Sequence, residues 1–215
     1  ALNQAKIRAR YQIPPDRALL VFHGTLHYWP NTVAVKRIAE ELLPRLEAKG
    51  LNGQILICGM NPPRYYNHPR ITFTEMVQDL PEHLAAADIA VVPLEDGGGT
   101  RLKILAYFAA PVPVLSTPQG AEGIPARDGV EILISQDMPA MADAIATLLA
   151  DPLKAAHIAL GGLRFAESYS WDAIATQWMA IYEGREPSPI PLPDILTLSA
   201  KSMPKPMSEA KKAAL

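Results

Sequence analysis

Cysteine is almost missing from this chain. Cys58 is the single one among 215 residues, so no internal disulfide can form and no cysteine cluster can hold a metal. A reducing, cytoplasmic compartment is the expectation. An excess of positive charge is missing too: 20 Lys and Arg face 22 Asp and Glu, a net charge of -2. That balance provides no strong field for nucleic acid or an acidic membrane surface. Long apolar runs are also lacking. The longest, Ile104 to Leu115, is interrupted by Pro111 and Pro113 and falls short of the roughly 20 residues a bilayer span needs. Ala1 to Arg10 carries charge without an apolar core and does not read as a signal peptide. No period of about 20 to 50 residues recurs, which excludes a solenoid.

What is present is ordinary globular composition, 49% hydrophobic and 20% charged, enough for a full core without staples. The residues divide into a lead-in over 1–17, a compact domain over 18–184 and a tail over 185–215. The tail holds six prolines, four of them alternating at Pro187, Pro189, Pro191 and Pro193, a spacing that neither a helix nor a central strand tolerates. It reads as an extended strap or loose terminus, with a proline-recognition motif as the alternative.

Between these ends, short β-rich runs alternate with helical patterns. Apolar runs at Ala18–Phe22, Gln54–Cys58, Ile71–Phe73, Ile89–Val92, Val112–Leu115 and Glu131–Ile134 predict six strands. Helices are expected over Asn31–Ala48 with Asn31 as cap, then Pro81–Ala87, Arg101–Ala109, Met138–Ala150, Pro152–Ser168 and Trp171–Tyr182. Strands apolar on both faces and joined by helices imply α/β architecture: a single Rossmann-like, doubly wound parallel sheet with helices on both faces. Ligands of such sheets lie beyond the carboxyl ends of the strands. The loops that matter therefore follow Phe22, Cys58, Phe73, Val92 and Leu115.

The loop after the fourth predicted strand reads Pro93-Leu94-Glu95-Asp96-Gly97-Gly98-Gly99-Thr100-Arg101-Leu102-Lys103. Three glycines leave main-chain N–H groups uncovered, and Thr100 is the expected cap of the following helix. Free amides and the positive helix end then point the same way, as an anion site requires. Arg101 and Lys103 sit in the first turn, against the dipole, a conflict that a phosphate or diphosphate relieves. The alternative is a flexible glycine loop with two solvated cations. No Walker sequence closes the loop, and no Gly-x-Gly-x-x-Gly follows the first strand, so a standard dinucleotide site is not supported.

Four blocks together carry a resemblance: Phe22-His23-Gly24-Thr25-Leu26-His27-Tyr28-Trp29-Pro30-Asn31, Ala85 to Leu94, the Gly-Gly-Gly-Thr-Arg-Leu-Lys loop, and Pro113 to Ile124, joined by Ser170-Trp171-Asp172. Over roughly Ala18 to Glu183 the chain resembles the C-terminal half of family 4 (group 1) glycosyltransferases of the GT-B fold. The resemblance implies the nucleotide-sugar-binding half of a retaining transferase, a hexosyltransferase taking a UDP-, GDP- or similar sugar to a saccharide, lipid or small-molecule acceptor, as in polysaccharide biosynthesis. It implies no cofactor and no metal. It also implies a partner, the N-terminal GT-B domain, so that the segment is either part of a longer protein or a single-domain relative. Alone it is expected to be inactive or weakly active, and any peripheral membrane association would run through the other half.

By the same resemblance, Gly98, Gly99, Thr100, Arg101 and Lys103 hold the donor diphosphate and Gly24 and Thr25 approach it. The segment of Met76, Val77, Asp79 and Leu80 borders the base, and Glu122 lies near the sugar. No nucleophile or general base is identified. The family's paired glutamates fall on Gly98 and Ala106, so the carboxylate that would bind the ribose hydroxyls is missing, a contact worth about 1.5–3 kcal/mol. The glycine that normally ends the following helix is Pro111. These two departures support the alternative of a non-catalytic binding or scaffolding domain. Further candidates have quieter readings beside them. His23 and His27 flank the first loop, Tyr28 and Trp29 stack or pack on the next helix, Cys58 fills core, and Asp88 is a turn acid.

Overall fold

The computed structural model describes residues 2–62 and 67–187. The tail read over 185–215 therefore lies, beyond residue 187, outside the described residues. Six strands form one wholly parallel sheet in the order β3-β2-β1-β4-β5-β6. They are β1 (Ala18–His23), β2 (Gly53–Cys58), β3 (Ile71–Phe73), β4 (Ile89–Val92), β5 (Val114–Ser116) and β6 (Leu133–Ile134). In β1, residues 18–22 are all buried, as are all of β2 and β4, because helices cover both faces of the sheet.

The order reverses between β1 and β4, and there the strands separate. β1 stays paired with β2 up to His23↔Cys58, but its pairing with β4 ends at Val21↔Ala90. This divergence lies at the carboxyl edge, where such sheets take ligands in a crevice between the parting strands.

α2 (Trp29–Arg37) passes through a π-helical turn (Ile38–Leu42) into α3 (Leu43–Ala48). That element and α7 (Met138–Ala150) cover one face. On the other lie α1 (Leu2–Arg10), α4 (Leu80–Ala85), α5 (Leu102–Ala109) and α8 (Pro152–Glu167). α6 (Pro118–Ala121) follows β5, and α9 (Trp171–Tyr182) is the last helix. Close approach of α8 to α5 requires glycine at Gly162, where a Cβ would lie 2.5 Å from the Phe108 ring. No single described helix is long and apolar enough to cross a membrane.

Three local expectations are corrected. The lead-in contains a helix, α1, anchored by the fully buried Ile7 and by an ion pair at 2.8 Å between Arg8 and Asp88. Asp88 also accepts from the Leu19 N–H at 2.7 Å, so this acid fastens α1 to the sheet besides ending a turn. Asn31 does not cap α2. Tyr28 occupies the cap position without a side-chain bond, Pro30 takes the first turn, and Asn31 lies inside the helix. Thr100 does not cap α5 either: Arg101 is its cap residue, again without a side-chain cap bond.

Candidate functional site

The loop between β4 and α5 is shaped by backbone that only glycine adopts freely: φ is +116° at Gly97 and +83° at Gly99. Gly97 also lies against α2, where a Cβ would stand 3.1 Å from the Pro30 ring. The Gly97 N–H donates to the Asp96 carboxylate at 2.6 Å. The next four amides, of Gly98, Gly99, Thr100 and Arg101, donate to no acceptor among the described residues. Gly98, Gly99 and Thr100 are exposed, so these donors face water at the start of α5. A short anion can accept from several of them at once, in the field of the helix end.

The two cations of this loop differ. Arg101 is buried, and its guanidinium donates to protein acceptors: Gly97 O at 2.6 Å, Gly98 O at 3.2 Å, Gln119 O at 3.2 Å and the Glu122 carboxylate at 3.3 Å. It staples the glycine loop to the β5–α6 segment. The unopposed charge expected at this position is thus largely occupied in holding the loop's shape. Lys103 keeps its charge less well matched. Its Nζ donates to Asn31 Oδ1 at 2.6 Å and lies 4.4 Å from the centre of the Phe22 ring. Burial, then repulsion from Arg101, pulls its pKa down from 10.5 to about 7.

The first loop closes the other side of the crevice. Gly24 packs beneath the Asn31 carboxamide, and the Gly24 N–H donates to Cys58 O at 3.0 Å. Thr25 is exposed, while its carbonyl accepts from Asn31 Nδ2 at 2.9 Å. Gly59, after β2, comes so near that a Cβ would meet Gly24 O at 1.8 Å; no other residue fits there. The His23 N–H, left without a β4 partner where the strands part, donates to the Tyr107 hydroxyl at 2.8 Å, and the two rings meet edge-on. Burial first, and Lys103 second, lower the His23 pKa to about 4, so its imidazole is neutral near pH 7. The buried Nδ1 of that ring has no hydrogen-bond partner among the described residues.

Contacts thus link Gly24, Thr25, Lys103, Arg101 and Glu122, with the Gly98, Gly99 and Thr100 loop, at the carboxyl edge beside the β1–β4 divergence. Val77, Asp79 and Leu80 stand along the same edge at the β3–α4 connection, linked to the first loop through Gly59, whose N–H donates to Glu75 O at 3.0 Å. Asp79 is engaged there, 3.1 Å from Arg10 and 3.3 Å from His83 Nδ1. His83 is fully buried, and its Nε2 lies 2.9 Å from the Tyr11 hydroxyl. Glu122 binds Gln119 Nε2 at 2.8 Å as well as Arg101, so its acid function here is to brace a turn.

Trp29 is 69% exposed, which removes the packing reading for that ring. His27 bonds Asn61 at 3.0 Å on the surface, and Cys58 is core, its thiol pKa raised by burial to about 11. α5 ends at Ala110 with φ -91°, a right-handed exit that proline at 111 permits and that needs no glycine. Among the described residues no three His, Cys, Asp or Glu side chains converge as a metal site. Sequence reasoning missed the Asn31–Lys103 bond, the Tyr107 hydroxyl and the α1 contacts. Each joins residues distant in the chain, and no local spacing marks them.

The family model for glycosyl transferases group 1 matches residues 17–151. A D-inositol 3-phosphate glycosyltransferase from Corynebacterium aurimucosum is 29% identical over 194 residues, covering 81% of this chain and 45% of that protein. The structure of Anabaena Alr3699/HepE in complex with UDP and glucose superposes with a TM-score of 0.67 at 18% identity, over 85% of this chain and 52% of the other. The C-terminal domain of a group 1 family glycosyl transferase (LpcC) from Francisella tularensis gives 0.63 at 18% identity, over 80% of this chain and 95% of that domain. The chain spans about half the length of the two longer relatives, and the structural likenesses establish the GT-B Rossmann-like fold.

Proposed function

The chain belongs to the glycosyl transferases group 1 family, and from that premise we propose that it is the donor-binding half of a retaining hexosyltransferase. The observation that carries this reading is the run of four amides, Gly98 to Arg101, that have no acceptor among the described residues, beside Lys103 at the point where β1 and β4 part. The diphosphate of a nucleotide sugar sits on those amides and on the Lys103 ammonium. Gly24 and Thr25 let the first loop approach it, and Arg101 keeps the glycine loop in its open form. The base lies along Val77, Asp79 and Leu80, and the sugar lies toward Glu122.

In the reaction this half stabilises the negative charge that grows on the departing nucleoside diphosphate, with donors fixed before the substrate arrives. It supplies no nucleophile and no general base, and no metal or cofactor is required of it. The acceptor, a saccharide, lipid or small molecule, is held by a second Rossmann-like half. Without that half the crevice stays open to water, so the isolated segment binds donor weakly and turns over little.

Ala106 favours a second reading, a non-catalytic binding or scaffolding domain, because it offers no carboxylate to the ribose. Calorimetric titration of the 215-residue chain with UDP, GDP, UDP-glucose and GDP-mannose separates the two. Saturable binding that inorganic pyrophosphate competes away supports the donor site. No heat from any of the four at millimolar concentration overturns it in favour of the scaffold.

A further inference from the structure

Asn31 lies within the first turn of α2, yet it is only 6% exposed and both ends of its carboxamide reach other elements. Nδ2 donates to Thr25 O in the loop after β1, at 2.9 Å. Oδ1 accepts from Lys103 Nζ in the first turn of α5, at 2.6 Å. The same group lies over Gly24, where a Cβ would meet Nδ2 at 2.7 Å. One amide therefore ties together the loops on the two sides of the crevice.

The surroundings of Lys103 Nζ show what this amide does. Its other close neighbour is the fully buried Phe22 ring, 4.4 Å away. The charged or titratable groups acting on it are Arg101, a cation, and His23, a buried imidazole. Among the described residues no carboxylate lies within ion-pair distance of it, and Asn31 is its hydrogen-bond acceptor. A carboxylate at 31 would satisfy the ammonium and compete with an arriving phosphate. An apolar residue would leave a four-carbon side chain free to turn away. A neutral acceptor orients the amine and leaves its charge unspent.

We propose that Asn31 is the positioning residue of the diphosphate site, fixing Lys103 Nζ at the end of β1 without neutralising it and coupling it to the Thr25 loop. This rests on the donor-site reading above. The test has two readouts on the whole chain. The first is the affinity for UDP-glucose of Asn31→Ala, Lys103→Met and the double variant. Each single change weakens binding about tenfold or more, and the double variant is no weaker than Lys103→Met alone. Effects that multiply in the double variant, or wild-type affinity in Asn31→Ala, overturn the proposal.

The second readout needs no ligand: the titration of Lys103 followed by NMR of ε-carbon-labelled lysine. Asn31→Asp keeps the acceptor and adds charge, so it raises the Lys103 midpoint by one pH unit or more while weakening UDP-glucose binding. A midpoint unmoved by Asn31→Asp also overturns the proposal, since residue 31 would then not reach Lys103 Nζ. Should no variant and no wild-type chain bind nucleotide sugar, the donor reading falls, and the lysine titration still decides whether Asn31 governs Lys103.

Discussion

The two ends of the carboxyl edge are built on opposite principles. At the β3–α4 end, polar side chains are tied to one another, Asp79 to Arg10 and His83 and His83 to Tyr11, while the same helix α1 is fastened at the opposite, amino edge by Arg8 to Asp88. Most of those ties come from α1 or the residue just after it, so the start of the segment knits this flank shut. Where β1 and β4 diverge, four amides have no acceptor among the described residues and one amine has a neutral one. Helix-end donors that face water exchange it for an anion in the favourable field of the helix terminus. The first end is stability, the second is stored affinity. Arg101 and Lys103 repeat the contrast at two residues' separation, one saturated by carbonyls and the other awaiting a charge.

Breaking the ties of α1 has the largest expected effect. Arg8→Met leaves the Asp88 carboxylate buried without its cation, and removal of one partner of such a pair destabilises by about 3–5 kcal/mol. Urea unfolding reads the loss, while the UDP-glucose affinity of the folded fraction stays within about twofold. A variant that loses affinity as much as stability would show that the hold of α1 and the anion site are not separable. Next in size, Arg101→Ala strands the Gly97, Gly98 and Gln119 carbonyls. It lowers stability by about 2 kcal/mol and weakens UDP-glucose about tenfold or more through the loop. Lys103→Met weakens binding comparably and leaves stability unreduced, since the amine it removes is a poorly matched buried cation. Equal losses of stability in both variants would erase the contrast between the two cations.

The sheet was legible because its strands are short apolar runs with no competing period. β3 and β4 fall where the runs at Ile71–Phe73 and Ile89–Val92 lie, and α7 and α9 match their patterns end to end. The β4–α5 glycine loop was legible for the same reason: its place at a strand's carboxyl end follows from the strand alone. Side chains that act at long range were not. Asn31 and Thr100 have the residue types of helix caps, and local rules assign them so, but Pro30 and the Lys103 bond draw Asn31 into the helix and the Arg101 staple takes over the start of α5. α1 is mostly polar, with Ile7 as its buried apolar anchor, and its hold depends on Asp88, whose partnership is invisible from the sequence around Arg8.

A change that adds to the open end sharpens the comparison by a smaller amount. Ala106 is partly exposed on the second turn of α5, and that helix ends at Ala110 without distortion from Pro111. Ala106→Glu restores a carboxylate able to accept ribose hydroxyls, and UDP binding is expected to tighten about tenfold. Calorimetry with UDP measures it. Affinity unchanged by the glutamate would place the ribose away from α5 and favour the scaffold.

The smallest effect is a pH dependence that has opposite signs for stability and for binding. Lys103 titrates at about 7 in the fold and near its ordinary 10.5 when unfolded. Between those values the unfolded chain holds a proton that the folded one lacks, so unfolding takes up a proton and this residue's contribution to stability rises with pH. Binding runs the other way. The diphosphate of a nucleotide sugar keeps its charge across this range and favours the ammonium, so donor binding draws a proton onto Lys103 above pH 7 and weakens as the pH climbs. The rise in unfolding temperature given by UDP-glucose should therefore be larger at pH 6.5 than at pH 9, and Lys103→Met should level the two. His23 supplies the control: its depressed pKa of about 4 makes its contribution to stability fall only as the pH drops from about 6.5, outside the window in which the lysine acts. A ligand-induced shift that is the same at pH 6.5 and 9 in the wild-type chain would place the anion out of reach of Lys103, and the open end of the edge would then consist of main-chain amides alone.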